Sequence, residues 1–203
     1  MKDSFKITTK TITGTALLTA IELILIVISN YLTLGTVNIN LALIPIVVAA
    51  TVYGPLSGLF LGMVNGLITI FSPSTQAIFM SVSPLGTVLI CLLKTSLAGF
   101  LAGLIYIPFN KSESQGKKYV GALLASISVP LINTGIFSFG CYTFFNSWLM
   151  DLTNATPQYD NSFMVLLFVI IGLNFIIEFA ISIVFSPFIN MLINYYQRRV
   201  KDR

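Results

Sequence analysis

Histidine is absent from this chain, which excludes Ser-His-Asp and Cys-His nucleophile systems, the H-E-x-x-H metalloprotease helix and most zinc and haem sites. Charge is also scarce: 9% of the 203 residues are Asp, Glu, Lys or Arg, against about 25% in a soluble domain. That is too little to coat a folded surface of this size, so a soluble fold is excluded. Only Cys91 and Cys141 are present, both inside apolar runs, which rules out a disulfide framework. No G-x-x-x-x-G-K-[ST] occurs, so the chain has no P-loop of its own. What it has instead is hydrophobicity, with 56% apolar residues and a mean hydropathy of +0.91. These values describe an integral membrane protein, most of whose surface faces lipid or other helices.

Apolar runs long enough to cross a bilayer lie at 12–31, 84–107, 120–145 and 163–185. Lys2, Lys6 and Lys10 ahead of the first run give it a signal-peptide look, but it leads into further apolar segments and reads as a retained span. The stretch 41–71 is too long for one ordinary crossing and is broken by Gly54-Pro55, so it reads as two short helices. Charge supports that division. The basic residues other than Lys94 cluster at the N-terminus, at Lys111, Lys117 and Lys118, and at Arg198, Arg199, Lys201 and Arg203. Basic residues near span ends prefer the cytoplasm, so an even number of crossings must separate the clusters. The segments 32–40, 72–83 and 146–161 then face outside, and their only charges are Asp151 and Asp160. The expected fold is an all-α integral membrane protein with a single domain over 1–203, six transmembrane helices and cytoplasmic N- and C-termini.

Small residues four apart let membrane helices approach closely. Gly54, Gly58, Gly62 and Gly66 form one such row, Gly99 and Gly103 another; internal packing is the expected role of both. Ala16 and Ala20 form a third row near the cytoplasmic end of the first span, where either internal packing or docking of another membrane protein fits. Ionisable residues inside spans cost about 2.5 to 3.5 kcal/mol each on insertion scales, so they persist when buried, paired or useful. Glu22, Lys94 and Glu178 are in this position. Lys94 and Glu178 suit an ion pair that fixes helix register, or equally a polar pocket. Asn133 and Thr134 follow the kink-prone Pro130, while Asn174 and Glu178 share a helix face at i, i+4. As a convergent set these groups favour a solute site, with Asn38 and Asn40, Gln76 and Ser81, and Trp148 in the outer loops as candidates for its cover.

The motifs Ala16-Leu17-Leu18-Thr19-Ala20, Ile44-Pro45 and Tyr53-Gly54-Pro55-Leu56-Ser57-Gly58 occur in that order, with further glycines at Gly62 and Gly66. In this arrangement, and in size and span number, nearly the whole chain resembles the substrate-binding S-components of energy-coupling factor (ECF) vitamin transporters. Pro130-Leu131-Ile132-Asn133-Thr134-Gly135-Ile136-Phe137 looks most like the pantothenate type. The resemblance implies a multi-pass subunit of a bacterial plasma membrane that binds a small water-soluble vitamin from outside and delivers it by toppling. Its partners would be a membrane coupling subunit (T component) and two cytoplasmic ATPases that use the ATP. The chain itself would be no enzyme, hold no cofactor or metal, and bind no nucleic acid. By the same analogy Ala16 and Ala20 would touch the coupling subunit, and the pocket would use the outer halves of the fourth to sixth helices with the first loop as lid. The candidate solute contacts are Asn40, Gln76, Lys94, Asn133, Thr134, Asn174 and Glu178. Other vitamins, such as folate or riboflavin, fit the same scaffold. A stand-alone secondary carrier, with Lys94 and Glu178 on an ion path, remains the alternative outside the family.

Overall fold

The computed structural model of the protein describes residues 8–31, 33–34, 37–38, 40–112, 114–159 and 161–201. Lys2, Lys6, Asp160 and Arg203 lie outside them, as do the side chains of Asn38, Arg198, Arg199 and Lys201. Helix α1 spans Thr9–Tyr31, and a small antiparallel hairpin, β1 (Thr33–Leu34) and β2 (Val37–Asn38), leads to α2 (Leu43–Val52). Next come α3 (Pro55–Ile70), a π-helical segment at Thr75–Met80, α4 (Pro84–Asn110), α5 (Gln115–Thr143) and α6 (Asn146–Ala155). The chain ends in α7 (Ser162–Val165), a second π-helical segment (Leu166–Ile171) and α8 (Gly172–Lys201), continuous as one apolar stretch over Ser162–Gln197.

Among the described residues, four helical stretches are long and apolar enough to cross a membrane: Thr9–Ser29, Pro84–Asn110, Gln115–Thr143 and Ser162–Gln197. With 10 and 16 residues, α2 and α3 are only about 15 and 24 Å long, short of an apolar layer about 30 Å thick. The hairpin expected over 41–71 is therefore present as two unequal helices. Its break has a local cause: Gly54 takes φ 106°, a conformation that side-chain-bearing residues avoid, and Pro55 starts α3 where its missing N–H is not needed. Ser83 and Pro84 open α4 in a similar way, the Ser83 hydroxyl accepting a hydrogen bond from the Gly86 N–H at 3.3 Å.

The glycine rows join α3 to α4 backbone against backbone. A β-carbon on Gly62 would lie 2.2 Å from the Thr95 carbonyl oxygen, one on Gly66 2.4 Å from that of Cys91, and one on Gly58 2.5 Å from that of Gly99. The Thr95 hydroxyl donates to the Gly62 carbonyl at 2.6 Å, closing the seam. Lipid supplies no hydrophobic drive between helices, so this close contact is what holds them together. Gly62→Leu should cost more than the about 1–3 kcal/mol usual for core overpacking, because the opposing atoms are backbone and cannot swing aside. Thermal unfolding of the detergent-solubilised protein checks this; a wild-type melting temperature would mean that the seam is not needed.

Two regions read as loops are built differently. The segment 146–161 contains α6, because Phe145, Leu149 and Leu152 recur at helical spacing: Phe145 and Leu149 are fully buried while Met150 and Asp151 remain exposed. The segment between α1 and α2 carries the β1–β2 hairpin.

Thr8, Thr11, Tyr53, Asn110, Lys111, Lys118 and Gln197 line one crevice, so the start of α1, the α2–α3 turn, the α4–α5 connection and the end of α8 gather at one end of the bundle. A separate cavity occupies the other half. Between them lies a dry layer of Ile46, Val47, Leu61, Ala98, Ala102, Val129 and Ile189, each at most 2% exposed.

Candidate functional site

The cavity away from the basic end has a volume of about 470 Å³, within the about 300–1,000 Å³ typical of small-molecule sites. Its polar lining draws on α1, α3, α4, α5 and α8 and on the segment before α2, with Ser29 the α1 contribution. Asn40 reaches it from the segment before α2, Asn65 and Thr69 from α3, and Lys94 from the middle of α4. Asn133 and Thr134 come from α5, Asn174 and Glu178 from α8. Of the solute contacts suggested by sequence, six therefore line one cavity. Gln76 does not: its side-chain amide donates to the Ile70 carbonyl at 2.7 Å, tying the turn after α3. Ser81 likewise bonds back to its own helix turn, at the Ile78 carbonyl.

Phe79, Phe137 and Trp148 supply aromatic lining. Phe79 packs edge-on against both others, with ring centroids 5.6 Å from Phe137 and 5.2 Å from Trp148. Trp148, whose commonest role in a membrane protein is interfacial anchoring, thus also borders the cavity. Both π-helical segments border it too, through Thr75, Ile78 and Phe79 and through Val169, Ile170 and Ile171. π-Turns concentrate at functional sites because the widened turn redirects side chains. The second is permitted by Gly172, where a β-carbon would come within 2.7 Å of the Leu167 carbonyl oxygen.

Of the two alternatives open for Lys94 and Glu178, the direct ion pair does not form. Glu178 Oε1 accepts from the Asn40 backbone N–H at 3.2 Å and from Asn174 Nδ2 at 3.1 Å, and its Oε2 has no partner. Lys94 lies within electrostatic reach of that carboxyl group, but its ammonium stands 5.3 Å from the centroid of the Phe137 ring. Besides Glu178 Oε2, the buried oxygens Asn133 Oδ1 and Asn174 Oδ1 are also unpaired. Leaving a buried polar atom unpaired costs about 1–3 kcal/mol, so three such oxygens on residues lining one cavity mark a site that a ligand with donors would complete.

Asn65 is the most deeply buried of the polar lining residues that sequence reasoning passes over. It is 1% exposed, and its Oδ1 accepts from Asn40 Nδ2 at 3.3 Å. Its signal is an amide inside the glycine row of α3, one helical turn before Thr69, whose hydroxyl bonds back to the Asn65 carbonyl at 2.8 Å. Glu22, the third intramembrane charge, is fully buried but stands outside the cavity lining. Ala16 and Ala20 are exposed on α1, on the face turned away from the bundle, so internal packing is not their role.

A profile of the family described as ECF transporter, substrate-specific component, matches residues 10–193. No curated protein and no solved structure matches the chain.

Proposed function

Because the chain belongs to the family of ECF transporter substrate-specific components, we propose that it is the high-affinity pantothenate-binding S-component of a bacterial plasma-membrane importer. The observation that carries the choice of solute is the set of unsatisfied groups around the outer cavity. One ammonium, Lys94, lines the cavity without a direct ion pair to Glu178, and three buried acceptors, Glu178 Oε2, Asn133 Oδ1 and Asn174 Oδ1, lack donors. A small acid bearing several N–H and O–H donors complements that set. Pantothenate has one carboxylate, two hydroxyls and one amide N–H. Its gem-dimethyl group suits the aromatic lining of Phe79, Phe137 and Trp148. The carboxylate would sit on Lys94 in a charge-assisted bond, and the hydroxyls and amide on the α5 and α8 side chains.

Mass spectrometry of small molecules released from the purified chain tests this, with pantothenate expected at near one per protein. A retained folate or riboflavin would move the assignment to another vitamin while leaving the S-component role intact. The clustered aromatic rings favour such a ring-bearing solute as the second reading.

Delivery by toppling is supported by the apolar layer between the cavity and the crevice: on α4, Lys94 borders the cavity, Ala98 and Ala102 are fully buried, and Tyr106 borders the crevice. The backbone seam between α3 and α4 opposes opening the bundle along that helix pair. In this proposal a solute bound outside reaches the cytoplasm by reorientation of the whole chain, with a T component and two ATPases supplying the work. A secondary carrier acting alone would transport in ATP-free vesicles under an ion gradient; uptake here should require ATP and the co-purifying ATPases.

The proposed topology has α1, α4, α5 and the α7–α8 stretch crossing, the short α2 and α3 entering the membrane as a pair, and both termini cytoplasmic. The gathering of the α1 start, Lys111, Lys118 and the α8 end around one crevice supports it. Cysteines placed at Gln76 and Asn154 should react with an impermeant reagent in intact cells, while cysteines at Ser114 and the C-terminus should not. The opposite labelling pattern would overturn the orientation.

A further inference from the structure

The crevice at the basic end of the bundle has a volume of about 740 Å³. The start of α1, the α2–α3 turn, the α4–α5 connection and the end of α8 enclose it, so it opens where the long helices leave the apolar layer. Lys111 and Lys118 line it, and among the described residues no acidic side chain does; Glu113, on the same connection, lies outside them. Solute binding in the outer cavity makes no use of this space.

Neutral groups hold its cationic side in place. The partly buried Lys118 ammonium, from α5, donates to Gln197 Oε1 on α8, and Gln197 Nε2 donates in turn to Asn110 Oδ1 at the end of α4, at 2.8 Å. Both partners are amides, so this relay fixes the ammonium without cancelling its charge. A lysine present only to orient the chain in the membrane needs no such anchoring. Tyr53 and Tyr196 also line the crevice and pack edge-on, with ring centroids 5.2 Å apart. Gly14 lets α1 close on them, since a β-carbon there would lie 2.1 Å from the Tyr53 ring. Ile107 and Ile193 add apolar lining.

We propose that this crevice binds the phosphate headgroup of an anionic phospholipid, with Lys118, set by Gln197 and Asn110, as its principal contact and Lys111 as the second charge. Uncancelled ammonium calls for an anion, and phosphate is offered by lipids and by soluble molecules alike. The surroundings select the lipid. Basic pockets between membrane helices at the cytoplasmic boundary hold lipid headgroups, and tyrosines sit at headgroup level. A free phosphate would leave the isoleucine and tyrosine walls uncovered, whereas the glycerol and first acyl carbons of a lipid cover them. The crevice is separated from the outer cavity by the layer containing Ile46, Ala98 and Ala102, so its ligand is independent of the solute bound there.

Native mass spectrometry of the detergent-solubilised full chain, titrated with phosphatidylglycerol or with phosphatidylcholine, tests this. The chain should retain one phosphatidylglycerol and hold phosphatidylcholine more weakly. Lys118→Gln should weaken phosphatidylglycerol binding about tenfold, the effect of one lost hydrogen bond to a charged group. Lys117→Gln removes the same charge from an exposed position outside the crevice and should keep the wild-type affinity. Gln197→Leu keeps every charge but frees the ammonium, and should weaken binding between about two- and tenfold, as for one neutral hydrogen bond. Should Lys118→Gln fail to fold, Lys111→Gln takes its place in the comparison. Equal losses in Lys117→Gln and Lys118→Gln would reduce the effect to diffuse charge and overturn the proposal. So would release of the bound lipid by an equal concentration of inorganic phosphate, which would make the ligand a soluble anion. Loss of the coupling subunit from Lys118→Gln with phosphatidylglycerol affinity unchanged would make the crevice a protein interface and overturn it as well.

Discussion

Leucine in place of Ala16 or Ala20 is expected to abolish solute uptake by cells while leaving the affinity of the isolated chain for its solute at the wild-type value. Both alanines are exposed on α1, whose buried residues lie on the other face, so a larger side chain disturbs nothing inside the bundle. Against a partner helix it prevents the backbone approach on which association in lipid depends. Uptake should fall to the level of a strain lacking the protein, and pull-down of the coupling subunit should fail in parallel. The decisive comparison is between the two assays. Loss of solute binding in the isolated Ala16→Leu protein would mean that this face supports the bundle, and retained uptake would mean that the partner docks elsewhere.

Lys94→Met should fold and lose at least tenfold in solute affinity. The lysine forms no ion pair with Glu178, so its removal strands no salt-bridge partner, and methionine fills similar space beside Phe137. A hydrogen bond to a charged group contributes about 1.5–3 kcal/mol, which is roughly tenfold or more in the dissociation constant. Isothermal titration with pantothenate measures it. The double variant with Glu178→Gln should not recover the lost affinity, since each residue serves the solute rather than the other. Recovery of folding and binding together in the double variant would restore the register-pair reading, and full affinity in a well-folded Lys94→Met protein would remove the lysine from the site.

Composition alone determined that this is a membrane protein without histidine chemistry, because a chain with so few charges cannot cover a soluble surface. The break at Gly54-Pro55 and the α3–α4 seam were legible for a similar reason: positive φ and close backbone approach in lipid each demand glycine, whatever the rest of the fold does. The candidate site was legible as a set of residues. Lys94, Asn133, Asn174 and Glu178 stand out because a polar group inside an apolar run is costly.

Who meets whom was decided by the tertiary structure. The sequence leaves Lys94 and Glu178 either paired or facing a pocket, and Glu178 Oε1 instead accepts from Asn40, 138 positions away in the chain, and from Asn174, one turn away. Ala16 and Ala20 point either way until the burial of Thr15, Glu22 and Ser29 shows which face of α1 turns inward. α1 is apolar nearly all round, so its hydrophobic pattern carries no directional signal; only the location of hydrogen-bond partners on α3 and before α2 orients it. Local chemistry states which groups need a partner, and the three-dimensional packing of distant segments determines which partner each one finds.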